Sequence, residues 1–466
     1  MNKLYSILIL SLLLISCSKG DDGKGENSNG NLIIEISSIS SIDKNSAIGA
    51  VSITNNGGSE ILQKGLVWSP EPNPDVNDQS SNEGTGSGSF SGQLSELLPG
   101  TIYYVRAYVK NSSGFVYSNE LNFSTDAFVF EGHVSLWSQA EVVEFGANNY
   151  SEITGHLWIR KTCSDLTPLK NLKRIGEELY IAKADKLITL EGLNNISSVG
   201  RLEIFINDNL LTLDGLEGLT NISEHVRIEQ NYSLVGLGAL SNITTVPGNL
   251  YLWNNEVLTN LTGLHNINAV GGFVEIIGND ILPNLNGLTG LVSIGGKFEI
   301  FFNDSLVSLE GMPSLNEVGE DFIVERNPVL QDFGNFENLK TVVKDFFIDD
   351  NDVLLNIDGL SSLETVGEDF ELESNDLLVN VNGLSGLKTV NARIIIVHNS
   401  SLLNLNGLNA LESVSETVGV ISNGQLTDFC GLRDFLSGDG LGEAFVAQNN
   451  AYNPTKQDII DGNCSL

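Results

Sequence analysis

Asparagine recurs every 24 residues between residues 207 and 423 of this chain, ten times without a break. A leucine stands three positions after each of these asparagines. A fixed period of this length indicates a solenoid, because one repeat cannot bury its apolar face alone and stacked neighbours build a continuous core. This asparagine ladder consists of Asn207, Asn231, Asn255, Asn279, Asn303, Asn327, Asn351, Asn375, Asn399 and Asn423.

Apolar residues stand five and three positions before each ladder asparagine, as Phe298 and Ile300 do before Asn303. This alternation predicts one β-strand per coil and a parallel sheet of about eleven coils. We expect the amides to point inward, because an amide can donate to and accept from backbone groups that a turn leaves unpaired. Four phenylalanines in phase are expected to stack as an internal spine: Phe298, Phe322, Phe346 and Phe370.

The spacer between ladder asparagines, LNGLTGLVSIG at residues 285–295, resembles leucine-rich repeats of the receptor L-domain type. The resemblance implies that residues 127–466 form one repeat solenoid. Lys183 and Ala447 occupy the next positions in phase at the two ends, so the ladder is expected to begin after Lys183 and to end before Ala447. We therefore assign residues 127–182 to an N-terminal cap with the first coils, and residues 428–466 to a small C-terminal cap.

The C-terminal cap contains two of the four cysteines. In an oxidising compartment we expect Cys430 and Cys464 to form a disulfide. Residues 455–458 (TKQD) have the pattern of a capping box and predict a short helix. Cys163 is then left without a partner, and we interpret it as a buried thiol at a helix N-cap.

Residues 32–126 have the short strands and turn clusters of a β-sandwich. Leu97, Pro99, Thr101 and Tyr103 form an L-x-P-x-T-x-Y pattern that resembles the fibronectin type III signature. The fold class we predict is all-β dominated, with a fibronectin-like sandwich followed by the parallel β-solenoid. The sandwich is expected to be a stalk, and the alternative is ligand binding through an outward face of Tyr104, Arg106 and Tyr108.

The N-terminus predicts export and lipidation. Lys3 precedes an apolar run that is too short to span a bilayer and suits a signal peptide over residues 1–16. The following LISC at residues 14–17 resembles the lipobox of bacterial lipoproteins, which implies that Cys17 carries the lipid. Residues 17–31 then form a flexible tether, whose lysine and acidic residues resemble the Bacteroidetes signal for the outer face of the outer membrane. The lipid anchor is the only membrane contact we expect.

Net charge and motif content argue against several classes of function. The chain has 24 Lys and Arg against 59 Asp and Glu, a net charge of −35, which argues against nucleic-acid binding. The five histidines lie in different repeats without a catalytic or metal-binding motif, so we expect no enzyme activity, no cofactor and no metal site. The acidic run at residues 349–352 is interpreted as a solvated turn rather than a calcium site.

Binding is expected on the outward side of the sheet. Residues two and four positions before each ladder asparagine point away from the core and form two columns. Exposed aromatic patches commonly mark binding sites, although these side chains could simply cover the sheet. Phe205, Tyr251, Trp253 and Phe301 are expected to form one aromatic strip. The candidate ligand-binding residues are Phe205, Tyr251, Trp253, Phe301, Phe347, Glu203, Glu275 and Glu299.

These features together predict a cell-surface lipoprotein for adhesion or ligand capture, with its repeat solenoid held on a stalk. The ligand is an unknown protein or carbohydrate, since aromatic faces bordered by carboxylates suit either a glycan or a basic protein segment. The alternative is a glycan-binding accessory of a nutrient-uptake system, and a secreted hydrolase comes third.

Overall fold

A computed structural model describes residues 31–466 of the chain. The predicted signal peptide, the lipidation site Cys17 and most of the predicted tether lie outside these residues. The described chain is all-β dominated, with 8% helix, and it contains a parallel β-solenoid of about 13 coils preceded by smaller sheets. Residues 31–42, 46–96 and 102–124 form one compact unit, and residues 43–45, 97–101 and 125–466 form a second.

The first unit contains two antiparallel sheets, one with strand order β1-β2-β5 and one with order β4-β3-β6-β7. Its strands are β1 (Ile33–Ser40), β2 (Ala47–Asn55), β3 (Gln63–Ser69), β4 (Gln79–Ser80), β5 (Phe90–Leu94), β6 (Ile102–Asn111) and β7 (Gly114–Ser124). Alternation along β6 buries Val105 and Ala107, as the sequence predicts. Tyr108 was expected on the outward face, and this is wrong. The pairing of β6 with β7 shifts register between Arg106 and Tyr108, and Tyr108 is 2% exposed.

The second unit is the solenoid, in which one strand from each coil pairs in parallel with the strand of the next coil. A second parallel sheet of eight short strands lies on another side of the coils. The longer sheet runs through β9, β11, β12, β13 and then every odd strand from β15 to β31, and ends at β32. The asparagine ladder predicted about eleven coils, and the structure has about 13.

The strands of the solenoid are β8 (Val129–Phe130), β9 (Val134–Ser138), β10 (Glu152–Ile153), β11 (Leu157–Thr162), β12 (Arg174–Ala182), β13 (Ser198–Phe205), β14 (Asn221–Ile222), β15 (Val226–Glu229), β16 (Thr245–Val246), β17 (Leu250–Trp253), β18 (Ala269–Val270), β19 (Val274–Ile277), β20 (Ser293–Ile294), β21 (Phe298–Phe301), β22 (Glu317–Val318), β23 (Phe322–Glu325), β24 (Thr341–Val342), β25 (Phe346–Asp349), β26 (Thr365–Val366), β27 (Phe370–Glu373), β28 (Thr389–Val390), β29 (Ile394–Val397), β30 (Ser413–Val414), β31 (Val418–Ile421) and β32 (Phe445–Gln448). Its α-helices are α1 (Gln139–Gly146), α2 (Arg433–Ser437) and α3 (Lys456–Ile460). Short 3-10 helices occupy Thr167–Leu169, Gly238–Leu240, Asp358–Leu360, Asn382–Leu384, Asn406–Leu408 and Cys430–Leu432.

The phenylalanine spine forms as the sequence predicts. Phe298, Phe322, Phe346 and Phe370 are fully buried. Successive ring centres along the spine are 4.9, 4.7 and 5.7 Å apart. Two further buried rings, Phe333 and Phe336, pack against Phe322. The middle coils therefore have an aromatic core, where most other coils use Leu, Ile and Val.

The ladder amides are buried and bridge the coils. Asn327 is representative: its Nδ2 donates to the carbonyl of Ile300 in the preceding coil at 3.1 Å and to Glu325 in its own coil at 3.1 Å. Its Oδ1 accepts from the backbone N–H of Asn303 at 3.2 Å. The predicted interior role of the asparagines is therefore confirmed by their contacts.

The ladder continues one coil further than its sequence period indicates. Asn423 donates from its backbone N–H to Oδ1 of Asn450 at 2.9 Å, and Nδ2 of Asn450 donates to Val420 at 2.8 Å. Strand β32 pairs with β31, with Phe445 opposite Val418. The last coil is therefore three residues longer than 24, which moves the asparagine from the position of Ala447 to Asn450.

The C-terminal segment has the features that the sequence predicts. Cys430 and Cys464 are joined by a disulfide. Thr455 caps α3, and its side chain and that of Asp458 form the reciprocal capping box.

Cys163 is free and buried, but it does not cap a helix: its Sγ donates to the carbonyl of Leu136 at 3.5 Å. Within residues 31–466 no helix has the length and apolar character needed to cross a membrane.

Candidate ligand-binding face of the solenoid

In-register pairing of the long sheet aligns the outward residues into two columns. Glu203 lies opposite Arg227, Arg227 opposite Tyr251 and Tyr251 opposite Glu275. The second column runs in the same way from Phe205 to Trp253 and on to Phe301. All eight predicted binding residues lie on this outer face, and each is partly exposed. We call it the outer sheet face, comprising these two columns and their continuation in the strands from β9 to β32.

The predicted strip of four rings is interrupted. The guanidinium carbon of Arg227 lies 5.5 Å from the ring centre of Phe205 and 5.1 Å from that of Trp253, so it occupies the space between them. Ile277 stands between Trp253 and Phe301 in the register. Tyr251 does contact Trp253, with ring centres 4.9 Å apart. The structure thus forms one aromatic pair flanked by an arginine.

Further aromatic residues extend this region toward the N-terminus, and the sequence analysis missed them. Trp158 lies opposite Tyr180, which lies opposite Glu203 in the same column. The guanidinium carbon of Arg160 lies 4.6 Å from the ring centre of Trp158, 4.7 Å from that of Tyr180 and 5.2 Å from that of Trp137. These first coils are 22 or 23 residues long, so a search at a period of 24 passes over them.

The other half of the outer sheet face is rich in carboxylates. Glu325, Asp349 and Glu373 lie opposite one another on three neighbouring strands. Burial, with added repulsion from neighbouring carboxylates, raises the pKa of Asp349 to about 6. Burial, followed by a hydrogen bond with Glu373 and repulsion from it, raises the pKa of Glu371 to about 7. Asp349 and Glu371 therefore gain or lose a proton close to neutral pH.

Glu203, Glu275 and Glu299 differ in their surroundings. Glu203 is 2.9 Å from Nε2 of His225, and this hydrogen bond lowers the pKa of its carboxyl. Burial and the nearby Glu299 raise the pKa of Glu275 to about 7. Glu299 is 3.6 Å from the amino group of Lys297. Glu275 and Glu299 thus share one local environment on neighbouring strands, whereas Glu203 lies apart from them beside His225.

A cavity of about 240 Å³ opens in the acidic half of the outer sheet face. Its apolar wall is formed by Phe301, Ile323 and Phe347. Its polar wall is formed by Glu325, Asp349 and Glu371. Glu325 is 3.0 Å from Arg326, whereas the described part of the chain contains no ion pair to Asp349 or Glu371. Aromatic rings beside unpaired carboxylates form a site suited to an organic cation.

Comparisons with protein-family models, with curated proteins and with solved structures gave no match. The resemblances to lipoprotein signals, fibronectin type III domains and receptor L-domains therefore stay predictions. The outer sheet face is accordingly interpreted from its own geometry and charge.

Proposed function

We propose that this protein is a lipid-anchored surface receptor that captures a ligand through the outer sheet face of its solenoid. In this proposal Cys17 carries the lipid, the fibronectin type III-like unit is a spacer, and the L-domain-like coils bind. The proposal for the anchor rests on the N-terminal motif, and a Cys17→Ala variant tests it. Because a peptide tether has no membrane affinity without acyl chains, the variant should leave the detergent phase, and unchanged partitioning would contradict the anchor.

The observation that carries the binding proposal is the cavity between Phe301 and Phe347. Asp349 and Glu371 border it without a cationic partner, and burial, with added repulsion from neighbouring carboxylates, raises the pKa of both groups. A lysine or arginine side chain would place positive charge beside these carboxylates and its aliphatic part against the rings. The ligand class that we favour is therefore a basic segment of a partner protein.

Peptide binding tests this ligand class. We expect a fluorescent lysine-and-serine peptide to bind more tightly than a glutamate-and-serine peptide of the same length, with affinity that falls as salt is added. The double variant Asp349→Asn/Glu371→Gln should weaken binding at least about tenfold, which corresponds to about 1.4 kcal/mol. The control variant Glu317→Gln/Glu412→Gln also removes two carboxyl groups, at exposed positions away from the cavity. Equal losses in the two variants would show attraction by net charge alone and contradict the cavity as the site.

Glycan capture is the second candidate, and the partly exposed pair of Tyr251 and Trp253 favours it. Aromatic rings at a protein surface provide faces on which sugars stack. A glycan array with the variant Tyr251→Ser/Trp253→Ser separates the two candidates. Glycan binding that this variant loses and that Asp349→Asn/Glu371→Gln retains would assign the function to the aromatic pair instead of the cavity.

A further inference from the structure

Two histidines and a glutamate from three consecutive coils meet near the N-terminal end of the solenoid. His133 precedes β9, His156 precedes β11, and Glu177 lies in β12. One ligand atom of each residue lies within 4.8 Å of the other two. His133 Nδ1 is 3.5 Å from Glu177 Oε2. A Cβ on Gly155 would lie 2.3 Å from His133 Nδ1, so the glycine makes room for this imidazole.

The hydrogen bonding of His133 leaves two acceptors facing each other. The backbone N–H of His156 donates to His133 Nδ1 at 3.2 Å, a hydrogen bond that requires the tautomer with a lone pair on this nitrogen. The carboxylate oxygen of Glu177, 3.5 Å away, is also an acceptor. A cation between the two atoms would convert this repulsive contact into an attractive one.

We propose that His133, His156 and Glu177 bind a first-row transition-metal dication, with Zn²⁺ as the physiological candidate. Two imidazoles and a carboxylate are a ligand set that zinc accepts, with a fourth position open to water. Zinc bonds of about 2.0–2.2 Å place tetrahedral ligand atoms about 3.4 Å apart. His133 Nδ1 and Glu177 Oε2 are 3.5 Å apart before any side chain moves, which is close to this value.

Binding requires one movement. The two imidazoles are stacked, with ring centres 4.3 Å apart and planes 19° from parallel, so their lone pairs cannot meet at one ion. His133 is exposed and can turn its ring, replacing the amide hydrogen bond with the metal. His156 is held by a second stack, on Trp158, with ring centres 4.3 Å apart.

Burial, followed by the neighbouring His133, lowers the pKa of His156, and Arg160 acts in the same direction against Glu177 and Glu178. No metal-binding motif marks this site, because the three residues are 23 and 21 positions apart in the sequence.

Trp158 provides a direct readout. Cu²⁺, which binds such ligands more tightly than Zn²⁺, quenches a nearby tryptophan. Titrating the full-length protein with CuCl₂ should quench part of its fluorescence with one saturable site, and ZnCl₂ should compete. His133→Gln and Glu177→Gln should each weaken metal affinity at least tenfold, whereas His265→Gln, an exposed histidine elsewhere, should not.

Two further measurements complete the test. Isothermal titration of Trp158→Phe should still detect binding while the fluorescence change disappears. Zinc in excess should raise Tm in the wild type and not in His133→Gln, since the ion joins three coils only in the folded chain. Absence of saturable Zn²⁺ or Cu²⁺ binding to the wild type, or wild-type affinity in both His133→Gln and Glu177→Gln, would overturn the proposal.

Discussion

Asn303 and Asn327 are joined by two hydrogen bonds to a single oxygen. Nδ2 of Asn303 donates to Oδ1 of Asn327 at 3.1 Å, and the backbone N–H of Asn303 donates to the same oxygen at 3.2 Å. The same arrangement joins Asn327 to Asn351. Since each amide also donates to a carbonyl of the preceding coil, the ladder couples each coil to both of its neighbours.

Removal of one ladder amide should therefore destabilise the folded chain. We expect Asn327→Ala to lower the free energy of unfolding by about 3 kcal/mol, because it leaves several buried backbone and amide groups without partners. Glu325→Ala, two positions earlier on the outer sheet face, should change it by no more than about 0.5 kcal/mol. Denaturant unfolding of both variants measures the difference, and equal losses would contradict an inward ladder.

The period of 24 residues made the core of the middle coils predictable. Asn207 to Asn423 and the phenylalanine spine keep this spacing, so sequence position alone places them inside. Prediction failed wherever coil length changes. Asn450 follows a three-residue insertion, and Trp158 and Tyr180 belong to shorter coils. The cavity beside Phe347 could be predicted only in part, since its volume and the missing ion pairs depend on side-chain conformations.

The residue before each ladder asparagine has a left-handed backbone conformation, and the residue types at these positions are too varied to predict it from the sequence. Ile206 has φ of 52° and Gly278 has φ of 65°. Asparagine tolerates this conformation and occupies the equivalent positions 254 and 449, whereas a β-branched residue is strained there.

Substitutions at this position should therefore raise or lower the free energy of unfolding, depending on how well the new residue tolerates a positive φ. We expect Ile206→Asn to raise the free energy of unfolding by about 1 kcal/mol and Gly278→Ala to lower it by about 1 kcal/mol. Ile281→Asn, at an exposed position where φ is not positive, is the control and should stay within about 0.5 kcal/mol. A stability gain in the control equal to that of Ile206→Asn would show that replacing an apolar side chain with a polar one causes the effect, and not the backbone conformation.

Arg227 neutralises a buried carboxylate on the outer sheet face. Its Nε donates to Glu229 Oε2 at 2.6 Å, and Glu229 is only 8% exposed. Arg227→Ala leaves this carboxylate unpaired and should lower the free energy of unfolding by about 3 kcal/mol. Arg326→Ala removes an arginine that is half exposed and should cost less than about 1 kcal/mol.

A double variant isolates this ion pair. Arg227→Ala/Glu229→Ala should recover most of the stability that Arg227→Ala loses, because no unpaired charge then stays buried. If the double variant is no more stable than the single one, the arginine acts through its contacts with Phe205 and Trp253.

Carboxyl groups on the outer sheet face should make stability depend on pH. The folded-state pKa is about 7 for Glu275 and Glu371 and about 6 for Asp349, against about 4 in the unfolded chain. Between these values the folded chain binds more protons than the unfolded chain, so the free energy of unfolding falls as pH rises. Glu203, whose pKa is lowered, contributes its change below pH 4.5, outside this window.

The three pKa shifts in full would give about 6 kcal/mol between pH 5 and pH 8. Because solvent screens these partly exposed carboxyl groups, we expect denaturant unfolding to give a free energy about 3 kcal/mol higher at pH 5 than at pH 8. The variant Glu275→Gln/Asp349→Asn/Glu371→Gln cannot ionise at these positions and should lose most of this difference, gaining stability mainly at pH 8. The control Glu317→Gln/Glu412→Gln removes two exposed carboxylates and should keep the wild-type pH profile. A wild-type stability that rises from pH 5 to pH 8, or an unchanged profile in the triple variant, would show that these carboxyl groups ionise as readily in the folded chain as in the unfolded one.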